Sequence, residues 1–174
     1  MVRDALAPLR SRRNQGPVAL AAYWPAASVV FASLLAALPL IPSQNWFPDF
    51  GYLMFLGWRL LRNDPWPSWW AVPLGFINDV FTGDPIGYSV ALWSATMIAL
   101  DLIDRRTLWR DYWVEWILAA MFIAVGEALQ WRVARAVGAA PPFVAIVPAI
   151  AISILAFPIA AFLVGRLDSW RLGR

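Results

Sequence analysis

The sequence predicts an all-α polytopic membrane protein with about six transmembrane helices and with both termini in the cytoplasm. The chain of 174 residues is 61% hydrophobic and 14% charged, whereas an average soluble domain carries about a quarter charged residues. Its apolar residues form six runs separated by short polar segments, and its basic residues collect at alternate ends of those runs. We therefore expect a single integral membrane domain over residues 1–174.

The six apolar runs set the boundaries of the expected spans. A full crossing needs about 20 apolar residues, and the first, fifth and sixth runs reach this length while the fourth nearly does. The second and third runs, at about 15 residues or roughly 22 Å of helix, are short. They form either short crossings among longer neighbours, which we favour, or a re-entrant pair that leaves four crossings. The expected spans are 18–41, 47–61, 68–81, 86–103, 112–131 and 143–164.

Arginine placement predicts the orientation, because cytoplasmic loops carry the excess of basic residues. All 14 basic residues are arginine, and with a cytoplasmic N-terminus 12 of them fall on the inner side. The outer side holds Arg132 and Arg135. This division predicts a cytoplasmic N-terminal tail at 1–17, a helical bundle at 18–165 and a cytoplasmic C-terminal tail at 166–174. The basic residues lie where membrane topology needs them, so lipid headgroups are the expected contacts and a nucleic-acid partner is not predicted.

Acidic and amide side chains near the outer ends of the spans are the candidate functional residues, because a carboxylate at membrane depth normally faces protein or a water-filled cavity. Asp49 follows Pro48 at the start of the second span, where it serves as a helix-start residue or as an outer contact. Asn78 and Asp79 lie one turn from the end of the third span. Asp79 is expected to cap the following turn or to pair with an arginine, and an Asn-Asp pair offers too few ligands for a cation site.

The segment after Asp79 has the composition of a tight connection between two helices. Gly83, Pro85 and Gly87 supply turn-forming residues, and Asp84-Pro85 favours turn initiation. We expect this unit to shape the connection between the third and fourth spans.

Glu127 and Gln130 lie in the outer half of the fifth span, on one helical face. We expect them to join Asp79 in a polar patch with Arg132 or Arg135. A structural ion-pair patch is favoured over proton or solute coupling.

Asp101 and Asp104, at the inner end of the fourth span, are expected to form a solvated, mixed-charge cytoplasmic end that meets lipid headgroups or a cytoplasmic partner.

The sequence offers no recognisable catalytic constellation. Histidine and cysteine are absent, which removes the commonest general base and metal ligand and all thiol chemistry. No phosphate-binding loop, nucleophile elbow or zinc-protease motif occurs. We therefore expect no enzyme activity, no metal and no cofactor.

Two segments together resemble the MreD family of bacterial rod shape-determining membrane proteins. They are Pro48-Asp49 at the start of an apolar span, and the run Gly75-Phe76-Ile77-Asn78-Asp79-Val80-Phe81-Thr82-Gly83-Asp84-Pro85-Ile86-Gly87. Family members commonly show a Gly-Leu-Leu-x-Asp-like core followed by Gly-x-Pro-Leu-Gly, from which this chain departs conservatively. The motif extends over about residues 48–103, and the layout of spans is similar over most of the chain.

The resemblance implies a non-enzymatic scaffold of the elongation complex that directs lateral peptidoglycan synthesis and maintains cell shape. The implied partners are MreC, MreB, and RodA with its class B penicillin-binding transpeptidase. The implied location is the bacterial cytoplasmic (inner) membrane, with multiple passes. The MreD family also resembles the substrate-binding membrane subunits of energy-coupling-factor transporters. That likeness implies their fold, and it supplies the alternative that the chain binds a vitamin in an outward-facing pocket.

Overall fold

The computed structural model describes residues 23–37, 47–62, 67–104, 111–136, 138 and 142–171. The described residues are predominantly helical, as predicted. Short 3-10 turns at Ser68–Trp70 and Phe143–Ile146 lead into α3 and α6. The α-helices are α1 (Trp24–Ala36), α2 (Phe50–Leu61), α3 (Ala71–Thr82), α4 (Tyr88–Asp104), α5 (Tyr112–Ala136) and α6 (Val147–Arg171).

Two helical segments are long and apolar enough to cross a membrane, judged by length and composition. They are Tyr112–Ala136 and Phe143–Arg171. Both present large apolar side chains outward, such as Ile117 on α5 and Leu155, Ile159 and Phe162 on α6. Outward-facing apolar faces of this length are what a helix in lipid requires. The protein is therefore consistent with a helical membrane protein.

Helix α2 is the centre of the bundle, although it has only 12 residues. Its residues from Gly51 to Leu60 are all buried, and it contacts α1, α5 and α6 directly. Phe55 stacks on Trp93 of α4 with ring centroids 4.6 Å apart. Because protein surrounds α2 on all sides, this helix does not need the length of a lipid-facing span.

The contacts between helix ends show that the six described helices alternate in direction, which gives the bundle two polar ends. At one end, Asp49 before α2 meets Asn78 near the end of α3. At the other end, Arg59 near the end of α2 meets Asp101 near the end of α4. We call the second the arginine end. Helix α2 therefore runs the full height between the two polar ends.

The helices end at different residues from those predicted. Helix α5 continues past Trp131 to Ala136, and α6 continues past Val164 to Arg171, into the predicted C-terminal tail. Arginines at these positions were taken as the ends of spans, but arginine is also a good helix former. The predicted first span is described only within α1, and residues 1–22 and 172–174 lie outside the described part of the chain.

Pro158 lies inside α6, where it cannot donate a backbone hydrogen bond to the carbonyl of Ile154. The indole Nε1 of Trp116 on α5 donates to that carbonyl at 3.3 Å. A neighbouring helix thus satisfies the acceptor that proline leaves without its usual donor, as membrane helices require. The same hydrogen bond joins the two long helices.

We expect Trp116→Phe to destabilise the protein by about 1 kcal/mol, because the Ile154 carbonyl loses its donor while the aromatic packing is largely kept. In a Pro158→Ala background the new backbone N–H supplies the missing donor, so Trp116→Phe should cost less. Apparent melting temperatures of the four proteins in detergent measure this coupling. Equal effects of Trp116→Phe in both backgrounds would contradict it.

Candidate functional site

Asp79 caps the start of α4. Its Oδ2 accepts a hydrogen bond from the Gly87 backbone N–H at 2.7 Å, and its Oδ1 accepts one from the Ser89 N–H at 2.7 Å. The side chain is buried, with 1% exposed. Two backbone donors and the positive end of the α4 dipole compensate the carboxylate, so an arginine is not needed. The capping interpretation is therefore confirmed, and among the described residues Asp79 forms no ion pair.

Two glycines let the chain turn from α3 into α4. Gly83 ends α3 in the left-handed conformation, with φ 74°, and its N–H bonds to the Asp79 carbonyl at 3.1 Å. Gly87 has φ 100°, a conformation that residues with a Cβ rarely adopt. Exposed Pro85 lies between them, and its carbonyl accepts a hydrogen bond from Tyr88 N–H at 3.0 Å. The predicted connection by Gly83, Pro85 and Gly87 is present.

Asn78 joins four helices through its side chain. Its Oδ1 accepts from Ser33 Oγ of α1 at 2.7 Å, and its Nδ2 donates to Asp49 Oδ2 at 2.8 Å and to Ser89 Oγ of α4 at 3.2 Å. Asn78 is fully buried. We call Ser33, Asp49, Asn78, Asp79 and Ser89 the polar layer.

Asp49 links the polar layer to α2. Its Oδ1 accepts from the Tyr52 N–H at 3.0 Å, so it is the N-cap of α2. It is both the helix-start residue and a contact to the next helix. Gly51 packs so closely against Ser33 Oγ and Asn78 Oδ1 that a Cβ would overlap both atoms. A glycine at this position therefore makes the polar layer sterically feasible.

A small cavity lies beside the polar layer, between α2, α4, α5 and α6. Its volume is about 20 Å³, which is enough for a group the size of a water molecule. We call it the acidic cavity, because three carboxyl groups line it. Its polar lining residues are Asp49, Tyr52, Asp84, Tyr88, Glu127, Gln130 and Ser153.

Hydrogen bonds hold the walls of the acidic cavity. Asp84 Oδ1 accepts from Gln130 Nε2 at 2.7 Å, and Asp84 Oδ2 accepts from Thr82 Oγ1 at 2.9 Å. Tyr88 donates through its hydroxyl to the Gly126 carbonyl at 2.6 Å. The bonds of Gln130 and Tyr88 tie the start of α4 to α5, two helices that otherwise pack loosely against each other.

The predicted patch of Asp79 and Glu127 with Arg132 or Arg135 is wrong in its partners. Glu127 and Gln130 do share one face and line the acidic cavity, but Asp79 is used in the cap. The guanidinium of Arg135 lies over the Trp131 ring, 5.2 Å from its centroid. Among the described residues, neither arginine pairs with a carboxylate of the patch. Asp79 accepts hydrogen bonds from two backbone N–H groups instead, and Gln130 donates to Asp84.

The inner carboxylates are also placed differently from the prediction. Asp101 and Asp104 were expected at a solvated end, and the Asp101 side chain is 37% exposed, but both pair with Arg59, which is 2% exposed, at 2.5 and 2.7 Å. Asp168 binds Arg62 and Arg171, with 2.9 Å to Arg171 Nη2. Arg59 and Arg62 therefore attach α2 to α4 and α6, in addition to any effect on orientation.

Several residues of the site were not singled out from the sequence. Ser33, Ser89 and Ser153 are isolated serines on apolar helices, and nothing in their local sequence marks them. Asp84 was assigned only to the turn, although its place beside Gly83 and two residues after Thr82 is a signal for a side-chain contact. Tyr52, whose hydroxyl lies 2.9 Å from Thr96 Oγ1, follows Asp49 by three residues.

The described residues contain no group of three or more acidic side chains arranged to hold a metal ion. Comparisons of the chain with protein-family models, with curated proteins and with solved structures find no match. The resemblance to MreD therefore stays a prediction from the sequence.

We expect Asp79→Asn to lower the free energy of unfolding by about 1–3 kcal/mol, because an amide replaces one of two oxygens that accept charge-assisted hydrogen bonds. The apparent melting temperature in detergent measures the loss. Asp111→Asn, which changes an exposed carboxylate before α5, is the matched control. A melting temperature for Asp79→Asn no lower than that of the control would rule out the capping role.

Proposed function

We propose that this chain is a non-enzymatic scaffold of the bacterial cell-elongation complex, similar to MreD, in the cytoplasmic membrane. The observation that carries the proposal is that the Asn78-Asp79 pair of the MreD-like segment bonds only to groups of the same chain among the described residues. The side chains of Asn78 and Asp79 form hydrogen bonds with other helices of the same chain. Buried and fully bonded, they have no free group to offer to a substrate. A motif that fixes the arrangement of helices is what a scaffold needs.

We further propose that the chain crosses the membrane six times, with both termini in the cytoplasm. The reach of α2 supports six crossings over a re-entrant pair, because its start lies in the polar layer beside the start of α4 and its end pairs with residues near the ends of α4 and α6. The arginine end would face the cytoplasm, because it holds Arg59, Arg62 and Arg171, and the polar layer would face outward. On this orientation the scaffold binds MreC and, through the complex, supports MreB, RodA and its class B transpeptidase partner.

The alternative role as a vitamin-binding transporter subunit gains no support from the acidic cavity. Pockets for drug-sized ligands measure about 300–1,000 Å³, against about 20 Å³ here. The described helices would have to separate to admit a vitamin.

Cysteine labelling tests the number of crossings, because the chain has no native cysteine. With six crossings, Pro67→Cys at the connection between α2 and α3 should react with a membrane-impermeant maleimide only from the cytoplasmic side. In a re-entrant pair this position does not reach the cytoplasm. Asp111→Cys and Pro142→Cys are the expected inner and outer controls, and failure of Pro67→Cys to label from inside would favour four crossings.

Partner binding tests the scaffold role. The protein should recover MreC on purification, and its depletion should round rod-shaped cells. We expect Asp79→Ala to lower the protein level, with MreC recovery falling as well, because loss of the cap shifts α4; level and recovery are measured separately. Normal rods after clean deletion, with no MreC recovered, would overturn the proposal. Wild-type level and binding in Asp79→Ala would overturn the role of Asp79.

A further inference from the structure

Helices α1, α2, α3 and α4 each have one end at the height of the polar layer. That end lies within one turn of a residue of the layer: Ser33 for α1, Asp49 for α2, Asp79 for α3 and Ser89 for α4. Hydrogen bonds of Asn78 and Asp79 join these ends to one another. The polar layer therefore marks the height at which one part of the bundle stops.

Helices α5 and α6 continue beyond this height. The hydroxyl of Tyr88, at the start of α4, donates to the Gly126 carbonyl of α5 at 2.6 Å. From Gly126 to its end at Ala136, α5 adds about 15 Å of helix. Ser153 of α6 lines the acidic cavity together with Tyr88 and Gly126. The helical segment before Ser153 begins at Phe143, a similar distance away.

The segments of α5 and α6 beyond the polar layer form an apolar wall. Trp131 and Phe143 pack edge to face, with ring centroids 5.2 Å apart. We call residues 127–136 and 143–152 the outer wall. Val144 on this wall is 78% exposed, and the exposed apolar face of a membrane helix lies in hydrocarbon. The hydrocarbon layer must therefore extend above the polar layer on this side of the bundle.

Arg132 indicates how far the hydrocarbon extends along α5. Its side chain is exposed, and a long arginine side chain reaches toward the headgroups. Arg132 lies about 9 Å along the helix from Gly126. Leu129, which is 47% exposed, lies between them. Beside α5 the hydrocarbon boundary is thus about 9 Å or more above the height of Gly126.

Helix α3 offers lipid a much shorter apolar face. It packs mainly on α1 and α4, and it exposes Phe76 and Val80. Its exposed apolar face runs from Trp69 to Val80, about 17 Å. The corresponding face of α6 runs from Val144 to Leu163, about 29 Å. The face of α6 matches a hydrocarbon layer of about 30 Å, and the face of α3 does not.

The turn at residues 83–87 shows how the membrane must meet this short face. Gly83, Pro85 and Ile86 in the turn are exposed. Irregular backbone does not occur where it is exposed to lipid hydrocarbon, because its polar groups would lack partners. A membrane of uniform thickness would surround this turn with hydrocarbon, since the hydrocarbon reaches higher beside α5.

We propose that the outer leaflet is thinned beside α3 and α4 and keeps its normal depth at the outer wall. Headgroups and water then reach the turn at residues 83–87, at a height that is still hydrocarbon beside α5. Thinning of the bilayer is an ordinary response to a span that is too short. Thinning is required if α3 crosses the membrane, so it rests on the six crossings proposed above.

Cysteine reactivity of the purified protein in lipid nanodiscs tests the proposal, because the chain has no native cysteine. Ile86→Cys and Leu129→Cys are a matched pair, since Gln130 donates to Asp84 at 2.7 Å and places the two positions at similar height. Both side chains are exposed, by 77% and 47%. A charged maleimide should modify Ile86→Cys faster by about tenfold or more, because the thiolate is the reactive species and hydrocarbon excludes it. Both variants should react equally in denaturing detergent.

Spin labels near the middle of each lipid-facing surface give a second measurement. Phe76 lies near the middle of the exposed face of α3, and Met121 lies midway between Asp111 and Arg132 on α5. Collision rates with oxygen and with a water-soluble nickel chelate report the depth of a label at each cysteine. The label at Phe76→Cys should lie about 6 Å nearer to water than the label at Met121→Cys, half the difference between the two face lengths.

Equal reactivity of Ile86→Cys and Leu129→Cys in nanodiscs, whether both react quickly or both slowly, would overturn the proposal. Equal depths of the two spin labels would also overturn it. The labelling of Pro67→Cys described above tests the six crossings separately. If Pro67→Cys reacts from the cytoplasmic side while the matched pair react equally, the six crossings stand and the thinning is wrong.

Discussion

Polar groups inside the apolar bundle must find their partners within the protein, and the adjacent residues Asn78 and Asp79 meet this requirement for four helices. Neighbouring residues on a helix point about 100° apart. Asn78 therefore faces α1 and α2, while Asp79 faces the first turn of α4. Two consecutive side chains of α3 thus set the positions of its neighbours. Ser89 belongs to both networks, because its N–H bonds to Asp79 and its hydroxyl to Asn78.

The central helix depends on both polar ends. Asp49 fixes the start of α2 in the polar layer, and Arg59 and Arg62 fix its end to α4 and α6. Between these ends, α2 packs by stacking and by close approach: Phe55 lies on Trp93, and Gly57 leaves room for Val164. A helix of 12 residues is stable here because its neighbours bury it and its ends are bonded to them.

Local sequence patterns predicted the helices and the connection between α3 and α4. They could not predict which side chains from distant segments of the chain would contact each other. The glycines at 83 and 87 and the acid at 79 form one local unit, and its cap could be predicted because the atoms involved are at most 10 residues apart. The pairing of Arg59 with Asp101 requires knowing that α2 and α4 are neighbours. The same holds for Asp168 with Arg62, and for Ser33 with Asn78. Arginine was taken as a marker of span ends, which hid its use as a structural partner.

The geometry of Asp79 also decides how this residue can act on a partner. Its two oxygens are used by Gly87 and Ser89, and its side chain is 1% exposed. A partner helix therefore cannot bind Asp79 directly without breaking the cap of α4. Any effect of Asp79 on partner binding must come through the position of α4 and of the loosely packed boundary between α4 and α5. The hydrogen bonds of Tyr88 to Gly126 and of Gln130 to Asp84 close that boundary at one end. A shift of α4 would alter these bonds first. We therefore expect loss of the Asp79 cap to change the hydrogen bonds of the acidic cavity lining.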